Sequence, residues 1–235
     1  MTSSFVGHTG ALLRKDLVAE WRSKERLSPM VFFVLLVLLV YNFGFELGGA
    51  ALWEIGAGVL WSSFVFASLF GLQRTFAAET ANDCLDALLV APIPRASLYL
   101  AKMVGNLVFL LLVETITLPL FGLFFNLTPG WYLLSLPVVF LLGSACVSSV
   151  GTLFAAMAGH SRLREFFLPL LLLPVLIPAL ISCVEATALI LEGAAPGRSG
   201  LWWPEEMTVH IAMLGVYCLV FTTLSLMLFD FVIEE

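Results

Sequence analysis

Charged residues are scarce in this sequence, and their scarcity excludes a water-soluble protein. They make up only 12% of the 235 residues, whereas soluble domains carry roughly a quarter. Hydrophobic residues make up 60%, and the mean hydropathy is +1.02. No water-soluble fold of this length could bury so much apolar surface. The composition therefore predicts an all-α protein that crosses a membrane several times.

Several signatures of chemical function are also missing. The four cysteines are Cys84, Cys146, Cys183 and Cys218. No two of them have the spacing of a zinc or redox motif, and three lie in apolar runs, as small core residues do. No basic stripe alternates with aromatic residues, so nucleic acid is not an expected partner. The sequence contains no GxxxxGK[ST] motif for ATP and no acid–base pair within the apolar runs, so we do not expect an enzyme.

Six long apolar runs are present instead. About 20 such residues are needed to cross a bilayer as a helix. The runs predict spans at residues 29–47, 52–73, 97–127, 131–158, 166–191 and 207–232 of a single permease domain, 1–235. The third run is long enough to tilt or to contain a break at Pro119. In the fifth, Pro169, Pro174 and Pro178 predict a kinked helix that is buried in protein.

Residues 1–28 precede the first span and predict an amphipathic helix. Its apolar positions are Leu12, Leu13, Leu17, Val18 and Trp21. Its charged positions are Arg14, Lys15, Glu20, Arg22, Lys24, Glu25 and Arg26. A helix of this kind directly before a span is expected to lie in the membrane interface, next to lipid. The alternative is an ordinary cytosolic helix.

The Lys and Arg residues predict the orientation. Ten of the eleven lie in the N-terminal segment or in and beside the loops after the second and fourth spans, and only Arg198 lies on the opposite side. The positive-inside rule places the basic side, and with it both termini, in the cytoplasm. Four tryptophans fall near the opposite boundary, as an aromatic belt does: Trp53, Trp131, Trp202 and Trp203.

The loop after the second span is the most informative segment, and it reads RTFAAETANDCLDALLVAPIP from Arg74 to Pro94. Its leucines recur at helical spacing and its acidic residues stand beside them. We expect a short amphipathic helix that fits a groove on a cytoplasmic partner. The candidate contact residues are Glu79, Asp83, Leu85, Asp86, Leu88, Leu89, Pro92 and Pro94. The alternative is a helix that rests on lipid, although acidic residues suit an anionic inner leaflet poorly.

This segment, together with a second one, resembles the CcmB family of cytochrome c maturation permeases, also called haem exporter protein B. The matching residues of the first segment are Arg74, Phe76, Glu79, Asp83, Asp86, Leu88, Leu89, Pro92, Pro94, Ala101 and Lys102. Those of the second are Arg162, Arg164, Glu165, Pro169, Pro174 and Pro178. The resemblance covers nearly the whole chain, although the Asp-Gly pair usual in the family's first loop is absent.

The resemblance implies an ABC-2-like membrane subunit of an ABC-type complex in the inner membrane. ATP is then bound by a dimer of ATPase subunits that contacts residues 79–94. A haem-handling membrane protein lies beside this subunit, haem is present in the complex but is not a cofactor of this chain, and ATP hydrolysis drives release of a haem-loaded chaperone. An ABC-2-type permease for another small molecule or lipid remains an alternative. A secondary transporter is a further one, disfavoured because neither half of the chain repeats the other.

Glu114 is the acidic residue predicted in mid-span, where a charge costs about 3 kcal/mol. We expect it to face the bundle interior. One hypothesis makes it part of a translocation or conformational pathway; the other makes it a packing residue bonded to Thr115, Thr117 or a carbonyl freed by Pro119. His210 is expected to be an interfacial residue beside tryptophans rather than a haem ligand.

The fourth span carries a wide face of small residues, which predicts close helix packing. Its members and their neighbours are Gly143, Ser144, Val147, Ser148, Gly151, Thr152, Ala155, Ala156 and Gly159.

Overall fold

The computed structural model describes residues 2–44, 51–76, 94–125, 127, 130–158, 164–192, 203 and 205–234. Across these ranges the chain is helical and forms no strand. The helices are α1 (Thr2–Ser23), α2 (Leu27–Gly44), α3 (Ala51–Gln73), α4 (Arg95–Phe124), α5 (Leu136–Ala158), α6 (Arg164–Glu192) and α7 (Glu205–Glu234), with a 3-10 helix at Trp131–Ser135 before α5. Helices α2 to α7 are long and apolar enough to cross a membrane. The predicted all-α fold, with six spans behind an N-terminal helix, is confirmed.

Helix α5 is the centre of the bundle. It packs against α4, α6 and α7, and most of its side chains are buried. Its glycines let α3 approach closely. A Cβ added to Gly143 would lie 2.1 Å from Cη2 of Trp61, and one added to Gly151 would lie 2.5 Å from Cδ1 of Leu72. The small-residue face of α5 therefore serves packing, as predicted.

Trp61 of α3 fills the space above Gly143 and joins three helices. Its ring stands edge-on to Phe64 and to Phe140 of α5, with 5.9 Å between ring centroids in each pair, an arrangement that aromatic rings favour. Its indole N–H donates a hydrogen bond of 2.9 Å to Oγ1 of Thr187 on α6. The polar end of this large buried side chain is thus satisfied inside the bundle.

Proline does not break α4. The helix runs without interruption through Pro119 to Phe124. At about 1.5 Å per residue, its 30 residues exceed the thickness of the hydrocarbon core. The break predicted as one alternative at Pro119 is therefore wrong, and the tilt of this span stays a prediction.

Helix α6 also continues through its three prolines, but the prediction that this stretch is buried in protein is wrong for Pro174 and Pro178, whose side chains are exposed. The opposite face of α6 packs inward instead, at Leu168, Leu172 and Leu176. Ser182 donates a hydrogen bond of 3.1 Å to the carbonyl of Pro178, one turn earlier in the helix. Helix α6 is therefore buried in the bundle on one face only.

The N-terminal helix α1 packs against α4, and one of its charged side chains lies inside the protein, which the sequence does not predict. Glu20, assigned to the outward-facing charges, is only 5% exposed and faces the protein. Glu20 turns inward because its carboxylate accepts hydrogen bonds from the backbone N–H groups of Arg26 and Leu27. Trp21 and Val18 do lie on the outer surface, at 75% and 45% exposure, where an interfacial helix meets lipid.

The two ends of the bundle are defined by hydrogen bonds between helices. Arg26 lies in the elbow between α1 and α2, and its guanidinium donates a hydrogen bond of 3.0 Å to the carbonyl of Arg74, just after α3. Arg95, at the start of α4, donates a bond of 3.1 Å to the carbonyl of Asp230 near the end of α7. At the opposite end, Asn42 of α2 donates a bond of 2.8 Å to the carbonyl of Phe124. The elbow, both borders of residues 77–93 and the end of α7 therefore share one end of the bundle, which we call the elbow end.

Candidate functional site

Most of the predicted partner-contact residues lie outside the described residues. These are Glu79, Asp83, Leu85, Asp86, Leu88, Leu89 and Pro92. Pro94 is described and exposed, and its carbonyl accepts a hydrogen bond of 2.8 Å from the backbone N–H of Ser97. On the other side, Phe76 is buried at 6% exposure. The structure therefore shows how the two borders of this segment are held.

The elbow is held by the carboxylate of Glu20. Its Oε1 accepts hydrogen bonds from the backbone N–H groups of Arg26, at 2.7 Å, and Leu27, at 3.1 Å. These N–H groups open α2 and have no partner within that helix, so Glu20 caps it and places a negative charge at its positive end. The guanidinium of Arg26 stands 3.8 Å from Oε2 of the same carboxylate. This capping role explains why Glu20 faces inward.

Arg26 reaches from the elbow to the end of α3. Its Nη2 donates hydrogen bonds to the carbonyls of Arg74, at 3.0 Å, and Thr75, at 3.4 Å. Its Nη1 lies 3.4 Å from Oδ1 of Asn106 on α4. The guanidinium also stands over the ring of Phe109, 5.5 Å from its centroid, within the range of a cation–π contact. One side chain thus joins three helices directly before residue 77.

Asn106 extends the same network into the centre of the bundle. It is 5% exposed. Its Oδ1 accepts a hydrogen bond of 3.1 Å from the hydroxyl of Thr75, and its Nδ2 donates one of 3.0 Å to Oγ1 of Thr152 on α5. A buried amide with both ends bonded specifies one arrangement of its helices.

Lys102 holds the other border of the segment. Its Nζ forms an ion pair of 2.8 Å with Oδ2 of Asp16 on α1. It also lies 5.6 Å from the ring centroid of Phe76. A buried pair of this kind is costly to break because the remaining charge is left in a low-dielectric site. Lys102 therefore fixes the start of α4 against both α1 and the end of α3.

These groups form a hydrogen-bonded network centred on Arg26 and Asn106 and, beside it, the ion pair of Asp16 and Lys102; together we call them the polar junction. Its members are Asp16, Glu20, Arg26, Thr75, Lys102, Asn106 and Thr152. It ties the end of α3 to the elbow and to α5, and it ties the start of α4 to α1. The polar junction is not among the sites predicted from the sequence. Its signal was present in Lys102 and Asn106, two polar residues inside a predicted span, which need partners in the protein.

Glu114 lies inside the bundle, as predicted, at 1% exposure. Its Oε1 accepts a hydrogen bond of 2.5 Å from the hydroxyl of Ser144 on α5. The predicted partners Thr115 and Thr117 are wrong, because each donates instead to a carbonyl one turn back in α4. The second oxygen, Oε2, is buried and has no hydrogen-bond partner among the described residues. Glu185 of α6 is another acidic residue within a span, but it is exposed and lies about two turns from the helix end.

His210 and Trp203 lie at or just before the start of α7, at the end of the bundle opposite the elbow end. Nδ1 of His210 is buried without a hydrogen-bond partner in the described part of the chain. The indole N–H of Trp203 donates a hydrogen bond of 3.1 Å to Oγ1 of Thr208. No group of three His, Cys, Asp or Glu residues that could hold a metal exists among the described residues. Of the predicted core cysteines, Cys146 and Cys183 are buried and Cys218 is half-buried.

Comparison with known proteins identifies the family. The sequence matches the CcmB protein family over residues 8–231. Heme exporter protein B of Rhodobacter capsulatus is 33% identical over 185 residues, covering 79% of this chain and 84% of the relative. Heme exporter protein B of Paracoccus denitrificans is 32% identical, covering 79% and 85%, and that of Pseudomonas aeruginosa is 29% identical, covering 80% and 82%. Since the family match includes the first five spans, the sixth span up to residue 231 and the whole polar junction, this multi-pass membrane protein belongs to the CcmB family.

Proposed function

We propose that this chain is the transmembrane subunit of an ABC-type complex that handles haem for cytochrome c maturation. The family match over residues 8–231 carries the proposal, because relatives of similar length bear the name heme exporter protein B. Six membrane-crossing helices suit a transport subunit. The sequence has no nucleotide-binding motif, so ATP hydrolysis belongs to a partner subunit.

In this proposal a dimer of ATPase subunits docks on residues 79–94. A membrane subunit without a nucleotide site receives work through a surface outside the bilayer. Leu85, Leu88 and Leu89 provide an apolar anchor for a groove on the partner, and the acidic residues around them provide a charged rim. Pro94, with φ of −58° and ψ of 128°, stiffens the exit into α4.

The polar junction supports this assignment. Arg26 holds the chain just before the segment, and Lys102 holds the helix just after it. A push on the segment therefore meets two anchored ends and not two slack linkers. Through Asn106 the same push reaches Thr152 and with it the central helix α5.

Glu114 takes part in the conformational cycle in this proposal. A buried carboxylate oxygen without a partner costs free energy, and such a cost is expected where a group acts rather than merely packs. Ser144 links Glu114 to α5, the helix that the polar junction also reaches. Glu114 thus lies where a movement of α4 against α5 changes its surroundings.

In this proposal the elbow end lies on the cytoplasmic side of the inner membrane. Ten of the eleven basic residues fall on that side. A haem-handling membrane protein of the cytochrome c maturation system lies alongside in the bilayer. Helix α7 is the least buried of the six spans and offers the widest lateral surface, with Val216, Leu219 and Phe231 each at least 64% exposed.

A strain that lacks its own haem exporter B gene tests the function. We expect the wild-type chain, produced with its cognate ATPase and haem-handling subunits, to restore covalent haem on c-type cytochromes, detected by haem staining of denaturing gels. The same subunits without this chain are the control. If the chain is inserted and binds the ATPase but the cytochromes stay without haem, the ABC-2 permease for another substrate is the better assignment.

A further inference from the structure

A groove opens at the elbow between α1 and α2, on the outer surface of the bundle. It has a volume of about 510 Å³. Trp21, Lys24 and Ser28 lie at its mouth, and Val31, Phe32 and Leu35 line its length along α2. The lining from residue 27 to residue 35 covers about 12 Å of helix at 1.5 Å per residue. The groove is thus polar and cationic at one end and apolar along the rest.

The charge at the mouth is not neutralised by the neighbouring acids. The carboxylate of Glu20 is taken up by the backbone N–H groups of Arg26 and Leu27. The carboxylate of Glu25 is paired with Arg74. Among the described residues, Lys24 makes no ion pair. Its ammonium group is therefore available to an anion from outside the chain.

The backbone at Lys24 is held in a conformation that lysine rarely adopts. Its φ is 54°, in the left-handed region where glycine has no steric penalty. Its N–H donates a hydrogen bond of 2.7 Å to the carbonyl of Glu20 and so closes the end of α1. A lysine at a position suited to glycine is an outlier of the kind found at binding sites.

The surroundings of the groove belong to the membrane interface. Trp21 is 75% exposed, and exposed tryptophan prefers the depth of the lipid headgroups. Phe32 is 68% exposed on the apolar helix α2, which places it among acyl chains. A ligand of this groove therefore has an anionic headgroup at the level of Trp21 and a hydrocarbon tail beside Phe32.

We propose that the elbow groove binds one anionic phospholipid, with the phosphate at Lys24 and Ser28 and an acyl chain against Val31, Phe32 and Leu35. Lipid in this groove would fix the angle between α1 and α2, and so the position of Arg26. The proposed lipid site lies entirely on the outer surface of the elbow between α1 and α2. It does not depend on haem handling or on the ATPase.

Native mass spectrometry of the full chain in detergent tests the proposal, with phosphatidylglycerol and phosphatidylcholine of identical acyl chains as probes. We expect phosphatidylglycerol to bind the more tightly and Lys24→Gln to lower its affinity about fivefold, since one basic residue near a lipid surface is worth about that factor. Binding of phosphatidylcholine should change little. Arg14→Gln, an exposed cation on α1 outside the groove, is the matched control and should keep the preference.

Lys24→Gly separates lipid binding from folding. Glycine accepts φ of 54° without strain, so this variant should unfold at the same or a higher temperature and still lose the preference for phosphatidylglycerol. Equal affinity of the two lipids for the wild-type chain would overturn the proposal. An equal loss of affinity for phosphatidylglycerol in Arg14→Gln and Lys24→Gln would also overturn the proposal, since the lipid would then be attracted by the general surface charge and not by the groove.

Discussion

Lys102 of α4 and Asp16 of α1 form an ion pair, with 2.8 Å between Nζ and Oδ2, and only 2% of the Lys102 side chain is exposed. The desolvation of both charges offsets most of the attraction between them, so such a pair adds little net stability but is expensive to break. It fixes the place of α1 against the start of α4. The N-terminal helix is therefore part of the frame around residues 77–93 and not only a helix lying on lipid.

Removal of one partner from this pair should destabilise the protein strongly. In Asp16→Ala the buried ammonium group of Lys102 loses its ion-pair partner on α1, and the loss of one partner from a buried pair costs about 3–5 kcal/mol. The matched control is Glu25→Ala, because the pair between Glu25 and Arg74 is exposed and worth less than about 1 kcal/mol. Thermal unfolding in detergent compares the two. An Asp16→Ala variant as stable as Glu25→Ala would contradict the buried ion pair. The double variant Asp16→Leu/Lys102→Met should recover stability, because it leaves no charge of this pair in the protein.

The contact between α3 and α5 depends on the absence of a side chain at Gly143. Gly143→Ala places a Cβ 2.1 Å from Cη2 of Trp61 and 2.7 Å from Sγ of Cys183, so the helices must move apart at a cost of about 1–3 kcal/mol. Gly215→Ala is the control, since nothing lies within 4 Å of its added Cβ. We expect a lower unfolding temperature for Gly143→Ala alone. Equal unfolding temperatures for the two variants would show that α3 does not approach α5 this closely.

The sequence predicts the spans well because hydropathy is a local property of each run of residues, and the six apolar runs coincide with α2 to α7. It does not predict which polar residues pair across the bundle. Asp16 and Lys102 are distant in sequence, and only packing of α1 on α4 brings them together. The inward turn of Glu20 depends likewise on the elbow, a backbone conformation centred on Lys24 that hydropathy does not record.

Glu114 is tested by the substitution that keeps its shape and removes its ionisable carboxyl group. Glu114→Gln retains an oxygen that can accept the bond from Ser144, so we expect normal assembly of the complex and lowered turnover in proteoliposomes. Ser144→Ala, the control, removes that bond at about 1 kcal/mol of stability and leaves the carboxyl group in place. A Glu114→Gln complex with wild-type turnover would reduce Glu114 to a packing residue.

The docking of the ATPase on residues 79–94 is tested most directly by co-purification with a tagged chain. Leu88→Asp and Leu89→Asp each place a charge in the proposed apolar anchor. We expect the amount of bound ATPase to fall at least tenfold, because an anchor residue of an interface typically contributes about 2 kcal/mol or more. Leu134→Asp is the matched control, since Leu134 is 63% exposed in the 3-10 helix before α5 and far along the chain from this segment. Loss of the ATPase from the first two variants only, with all three chains in the membrane at equal levels, is the predicted result; wild-type amounts of ATPase on Leu88→Asp and Leu89→Asp would contradict it.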